Sequence, residues 1–131
     1  PSHANNYESA HGGIVMKWMD EVGAMAAMRA AEESCVTAQM SSVDFERPIG
    51  IGDNARVDAY AYETGRTSVR VRIDVARENP RTGETESTTT AYATFVAVDD
   101  GAPTEVPELT ADSEESERLR EQALAGEPER E

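Results

Sequence analysis

The sequence predicts a domain of the α+β class, in which one long helix is followed by four antiparallel strands that wrap around it. Three observations lead to this prediction. Apolar residues recur at spacings of three and four over residues 14–33, four later segments have the composition of strands, and short turns connect those segments. The chain has 131 residues, which is enough for one domain of this kind with its own core.

The predicted helix is apolar over more than one narrow stripe. At 1.5 Å per residue, its roughly 20 residues span about 30 Å. A helix that is apolar over so much of its circumference needs cover from a sheet that curves around it. The main face is formed by Ile14, Val15, Trp18, Met19, Val22, Met25 and Ala26, and the flanking apolar residues are Ala24, Ala27, Met28, Ala30 and Ala31.

Four segments after the helix predict the strands of the covering sheet. In the third, Val69, Val71 and Ile73 alternate with polar residues, as in a strand with one buried face. Since the connections are short, neighbouring strands are expected to be antiparallel. The predicted strands cover residues 36–46, 55–63, 68–78 and 86–98.

The end of the sequence differs from the part before it. We expect a single domain over residues 1–109 and an acidic C-terminal extension over residues 110–131. Within that extension, residues 110–125 predict a short amphipathic helix. We expect it to be exposed, partly ordered, or docked on a partner subunit.

The charge balance excludes some classes of partner. Acidic residues outnumber basic ones 26 to 12, for a formal charge of −14, and Lys17 is the one lysine. Nucleic acid and anionic membranes are improbable partners because both require a concentrated basic surface. Residues 1–101 and residues 102–131 each carry −7, so an acidic tail alone does not explain the total. This composition resembles adaptation to a salt-rich cytoplasm, where charge repulsion is strongly screened.

Other features of the composition bear on location and cofactors. We expect no membrane span or secretory leader, because no long apolar run is present. The single cysteine, Cys35, fits a reducing compartment, and we expect a cytoplasmic protein. Two histidines and one cysteine make a structural zinc site improbable.

Three features around the start of the helix carry candidate chemistry. Gly12 and Gly13 indicate either a plain turn or a helix N-terminus whose free N–H groups bind a polarised carbonyl. Asp20 is either a surface carboxylate paired with Lys17 or a carboxylate in a cleft that holds and deprotonates a water. His11 could act as a general base, or it could pack or bond to the backbone.

Taken together, these residues resemble the signature of hotdog-fold acyl-CoA thioesterases, the group that includes the brain-type and YciA-like acyl-CoA hydrolases. The resemblance covers residues 1 to about 109. Its first part is Asn5, His11-Gly12-Gly13 and Met19-Asp20-Glu21-Val22-Gly23. Later parts that match in order and spacing are Val36-Thr37, Asp44-Phe45, Arg47-Pro48, Gly52-Asp53, Thr67-Ser68-Val69, Phe95-Val96-Ala97-Val98-Asp99 and Val106-Pro107.

The resemblance implies roles for particular residues. Asp20 occupies the position of the family's catalytic carboxylate and Asn5 that of its second catalytic residue. Gly13, with Gly12, would direct a backbone N–H toward the thioester carbonyl. His11 stands where the family carries histidine or phenylalanine, which argues against an essential base. Glu8 departs from the glycine that is frequent in the family.

The resemblance also implies an assembly and a reaction. Active sites of the family lie at the dimer interface, so Asn5 of one chain is expected to face Asp20 of the other, in a homodimer or a trimer of dimers. The expected reaction is attack of water on the thioester of acyl-CoA, giving free fatty acid and CoA without a metal or redox cofactor. The alternative is a non-catalytic acyl-CoA-binding module, a sensor or carrier; Asp20 favours the enzyme. A dehydratase of this fold is a weaker third option.

Binding of CoA requires basic groups on an acidic protein. Guanidinium groups near the strand turns can grip phosphates with two hydrogen bonds, although each could equally be a solvated surface charge. The candidate CoA-binding residues are Arg47, Arg66, Thr67, Ser68 and Arg70.

Overall fold

A computed structural model describes residues 12–41, 53–110 and 113–128. Within these ranges a helix precedes an antiparallel sheet of strand order β1-β4-β3-β2, β5 pairs with the end of β4, and a second helix follows. The predicted fold class, an antiparallel sheet around a long helix, is confirmed. The elements are α1 (Gly12–Ala31), β1 (Ser34–Met40), β2 (Asn54–Thr64), β3 (Ser68–Glu78), β4 (Thr85–Asp99), β5 (Ala102–Pro103) and α2 (Glu114–Gly126).

The boundaries of α1 differ from the prediction by two residues at each end. The helix ends at Ala31 because Glu32 has a φ of 58°, in the left-handed region that terminates helices. The N–H of Glu32 still donates to the carbonyl of Met28 at 2.8 Å, which closes the last turn. Because β1 follows after two residues, the chain reverses at once and β1 runs back along the helix.

Strands β2, β3 and β4 match the predicted segments to within two residues at each end. The first strand was predicted over 36–46, whereas β1 ends at Met40, and residues 42–46 lie outside the described residues. The two-residue strand β5 was not predicted. It forms because Asp100 and Gly101 both have positive φ, which turns the chain back onto β4.

The core lies between α1 and the inner face of the sheet. The alternation predicted for β3 is observed, since Val69, Val71 and Ile73 are fully buried against α1. Gly23 allows the close approach of helix and sheet: a Cβ there would lie 2.9 Å from Cδ1 of Ile73 and 3.2 Å from Cζ of Phe95. The core cluster also contains Val15, Met19, Ala27, Ala31, Val75, Ala91, Ala93 and Ala97.

The outer face of the sheet carries α2. Ser113 caps the start of this helix by accepting a hydrogen bond from the N–H of Ser116 at 3.0 Å. Further along the helix, side chains from β2, β3 and β4 donate to its carbonyls: Tyr60 to Leu119 at 3.0 Å, Arg72 to Gln122 at 3.3 Å and Tyr92 to Ala123 at 3.0 Å.

The residue after α2 completes this attachment. The carboxylate of Glu127 accepts hydrogen bonds from Tyr62 and from Arg70. Ala123 is fully buried, whereas Leu124 remains partly exposed. The extension therefore docks on its own sheet largely through polar contacts. The division of the chain at residue 109 stays a prediction.

No helix among the described residues is both long and apolar enough to cross a membrane.

Candidate active site

Asp20 lies on the side of α1 that faces β1. The hydroxyl of Thr37, on β1, donates a hydrogen bond to Oδ1 of Asp20 at 2.6 Å. Helix and strand are held in register by the buried neighbours Met19 and Gly23, which pack against the sheet. The carboxylate therefore turns toward the strand, rather than toward Lys17 as one of the two sequence interpretations expected.

In the part of the chain that the structure describes, the Asp20–Thr37 pair lies at the edge of the sheet. The sheet order ends at β1, and Thr37 is exposed while Asp20 is partly buried. Val36, the neighbour of Thr37, is also 53% exposed although it is a large apolar residue. A carboxylate here can hold a water molecule, but the described part of one chain does not enclose the reaction site.

Gly12 and Gly13 are the first two residues of α1, so their N–H groups are among those without a partner inside the helix. Asp20 follows Gly13 by seven residues, which corresponds to about 11 Å along the helix axis. The two groups of one chain are therefore about two helical turns apart.

The candidate CoA-binding residues fall into two places. Arg66 and Thr67 form the turn between β2 and β3, and Ser68 begins β3. Nε of Arg66 donates to Oε1 of Glu105 at 3.2 Å, and both side chains are exposed. Arg70 is instead on the outer face of the sheet, where it contacts Glu63 at 3.6 Å and Glu127 at 3.4 Å.

The sheet register relates this turn to Asp20. Thr37 pairs with Phe95, and Phe95 pairs with Val69 on its other side. The turn at Arg66 is therefore two strands across and three residues along from Thr37, a distance of about 14 Å between backbones. Asn5, His11 and Arg47 lie outside the described residues.

A cavity of about 580 Å³ lies on the opposite flank of α1, between the helix and β2. Asp20 and Thr37 are not among its lining residues, so it is separate from the candidate carboxylate within one chain. Its walls are Val22, Met25, Ala26, Arg29 and Ala30 of α1 with Ala59, Tyr60 and Ala61 of β2.

Cys35 has no features of an activated thiol. Burial raises the pKa of its thiol, and the nearby Glu33 carboxylate raises it further. Among the described residues, no group of three or more histidine, cysteine, aspartate or glutamate side chains is arranged to hold a metal ion.

The sequence alone does not predict a role for Thr37. It was recognised as part of a matching segment, but it lies 17 residues from Asp20 on another element. No local pattern predicts a hydrogen bond over that distance. The only feature of the sequence that pointed to Thr37 was its place in the Val36-Thr37 segment that matches the family.

A long helix wrapped by an antiparallel sheet is the architecture of the hotdog fold, and here a carboxylate lies beside a strand hydroxyl at the edge of the described sheet. The family model of the thioesterase superfamily matches residues 7–84 of this chain. The chain belongs to that superfamily, and the family, fold and thioesterase activity predicted from the sequence are confirmed.

Relatives and solved structures agree with this assignment. A Bacillus subtilis protein named as an acyl-CoA thioester hydrolase is 36% identical over 95% of this chain and 73% of its own length. An acyl-CoA hydrolase from Staphylococcus aureus, solved with butyryl-CoA, CoA and CoA disulfide, has a TM-score of 0.85 at 30% identity, covering 95% of this chain and 77% of that one. A hexameric thioesterase from Yersinia pestis has a TM-score of 0.77 at 31% identity, covering 82% and 90%.

Variants of the S. aureus hydrolase have also been solved. In them, alanine replaces an asparagine, an aspartate or a threonine, and these three positions are separated by 15 and 17 residues in that order.

Proposed function

We propose that this protein hydrolyses acyl-CoA thioesters to free fatty acid and CoA, with Asp20 as the residue that activates water. The observation that carries the proposal is the hydrogen bond from Thr37 to Asp20, which fixes one carboxylate oxygen at the open edge of the sheet. Thioesters have a good leaving group, so a positioned base and a polarised carbonyl suffice for the reaction.

The spacing of three residues supports this assignment. Asn5, Asp20 and Thr37 have the residue types, order and separations of the three positions changed in the S. aureus hydrolase variants. We infer that Asn5 orients the water or the carbonyl and that Thr37 positions Asp20. Direct attack by Asp20 to form an anhydride is a variant of the same scheme.

The active site is proposed to form between two subunits. Following the resemblance to hotdog-fold thioesterases, whose sites lie at the dimer interface, the N–H that polarises the carbonyl and the carboxylate that activates water would come from different chains. Asn5 and Gly13 of one chain would then face Asp20 of the partner subunit. Among the described strands β1 lies at the edge of the sheet, where it could pair with another chain.

We propose further that the dimers assemble into a hexamer, as in the Y. pestis thioesterase, and that the protein is cytoplasmic. No metal or redox cofactor takes part in the proposed reaction.

The test is thiol release from acyl-CoAs of several chain lengths, comparing wild type with Asp20→Asn and Asn5→Ala. Asp20→Asn is expected to lose at least ~100-fold in kcat, as for loss of a positioned general base. Hydrolysis by Asp20→Asn at the wild-type rate would contradict the mechanism. Binding of CoA without thiol release by the wild type would instead favour a sensor or carrier.

The composite site has a separate test. Mixing Asp20→Asn subunits with Asn5→Ala subunits should restore part of the activity, because some mixed dimers then contain one intact site. Absence of any recovery in demonstrably mixed dimers would place both residues in the same subunit's site.

A further inference from the structure

The turn between β2 and β3 carries a cation that already has an anionic partner. Nε of Arg66 donates to Oε1 of Glu105 at 3.2 Å, and the two side chains are 82% and 74% exposed. An ion pair this exposed contributes little free energy to stability, so another anion can replace the Glu105 carboxylate as the partner of Arg66.

The backbone holds Glu105 against this turn. The N–H of Val106 donates to the carbonyl of Arg66 at 2.9 Å, and the N–H of Ala97 donates to the carbonyl of Thr67 at 2.9 Å. The N–H of Thr104 in turn donates to the carbonyl of Ala97 at 2.9 Å. These bonds tie the segment after β5 to the turn, so the backbone of Glu105 is held beside that of Arg66.

The turn is also placed to meet one end of the substrate. Its backbone lies about 14 Å from Thr37, by the strand spacing and rise. In an acyl-CoA the phosphates and the thioester are at opposite ends of a flexible arm, so a cation beside the phosphates must stand well away from the reacting carbonyl. The other cation predicted on β3, Arg70, is engaged by Glu63 and Glu127.

We propose that Glu105 determines the affinity of the protein for CoA compounds. Its carboxylate pairs with the Arg66 guanidinium in the free protein, and a CoA phosphate takes its place when CoA binds. This inference rests on the proposed function, since it assigns Arg66 to the phosphate end of that substrate. A phosphate is the stronger partner for guanidinium because it can accept two charge-assisted hydrogen bonds. Glu105 therefore weakens binding of CoA compounds, and it has no effect on the acyl end.

The test compares KM and kcat for an acyl-CoA and for the same acyl group on N-acetylcysteamine, which has the thioester but no phosphate. Glu105→Gln is expected to lower KM for the acyl-CoA about twofold to fivefold at ~0.1 M salt, with kcat unchanged and with a smaller effect at ~1 M salt. KM for the phosphate-free thioester is expected to stay the same.

Glu108→Gln is the matched control. Glu108 is exposed on the same segment, and its replacement changes the net charge equally without removing the partner of Arg66. In an Arg66→Gln background, Glu105→Gln should have no further effect. Equal effects of Glu105→Gln and Glu108→Gln would overturn the proposal, as would a change in KM for the phosphate-free substrate or a rise in KM for acyl-CoA.

Calorimetric binding of CoA repeats the comparison without turnover. If the protein releases no thiol but Glu105→Gln still tightens CoA binding, the hydrolytic function fails while the role of Glu105 holds. If hydrolysis proceeds and CoA binding is insensitive to Glu105, the hydrolytic function holds and the role of Glu105 is refuted.

Discussion

Replacement of Thr37 by valine removes the hydrogen bond that the Thr37 hydroxyl donates to the carboxylate of Asp20. Valine keeps the shape and the strand preference of threonine, so β1 should be preserved. The expected consequence is a fall in kcat, because Asp20 keeps its charge but loses the group that fixes its orientation.

The geometry sets the size of the effect. The bond is short, at 2.6 Å, and its acceptor is a carboxylate. Hydrogen bonds to charged groups contribute about 1.5–3 kcal/mol, and the lower end applies here because Thr37 is exposed in one chain. With about 1.4 kcal/mol for each factor of ten, we expect kcat to fall about 10- to 30-fold.

The assay is thiol release at saturating acyl-CoA, with two comparison variants. Thr37→Ser should recover most of the rate, because it restores the hydroxyl. Thr90→Val removes a similar hydrogen bond, from Thr90 to Asp74 at 2.8 Å, on the outer face of the sheet and should leave kcat unchanged. A rate for Thr37→Val within twofold of wild type, or equal losses in Thr37→Val and Thr90→Val, would refute the positioning role.

Three further predictions concern packing, pH and salt. Gly23→Val is expected to lower the free energy of unfolding by about 1–3 kcal/mol, because its side chain would collide with Ile73 and Phe95. Urea titration beside the control Met25→Val, at a position of α1 that is 59% exposed, measures this, and equal stabilities would contradict it. Burial raises the pKa of Tyr60, Tyr62 and Tyr92, so in the unfolded chain they ionise at lower pH than in the folded protein. Stability from this source is complete below pH ~10 and is lost as pH rises further, and denaturant titrations from pH 8 to 11 should show a decline that Tyr62→Phe reduces. Because the charge is −14, dilution from ~1 M to ~0.1 M salt, where the Debye length grows from about 3 to 10 Å, should weaken assembly and activity together. Light scattering and thiol release check this, and intact, fully active oligomers in dilute buffer would mean that the acidity has another cause.

The sequence was sufficient for the fold class and for the main elements. Helical and strand periodicities are local properties of the sequence. The alternating apolar residues of β3 determine which face of that strand packs against α1. The signature around Asp20 was likewise enough to identify the family, since it needs residue types in order and no knowledge of contacts.

The boundaries of elements depended on single backbone conformations. The end of α1 is set by the positive φ of Glu32, and β5 is made possible by the reversal at Asp100 and Gly101. Glutamate rarely adopts a left-handed conformation, so no sequence pattern indicated that the helix would end before it.

Contacts between distant residues required the tertiary structure. Thr37 reaches Asp20 because the chain reverses after α1, and Glu105 reaches Arg66 because β4 carries the later segment back to the turn before β3. In the same way, α2 lies on the outer face because Tyr60, Arg72 and Tyr92 from three strands meet its carbonyls. The sequence by itself determined the class of the protein and its candidate carboxylate, since both follow from local patterns and motif order. Only the tertiary structure showed that Thr37 holds that carboxylate and that Glu105 pairs with Arg66 at the turn, because both contacts depend on how separate elements pack.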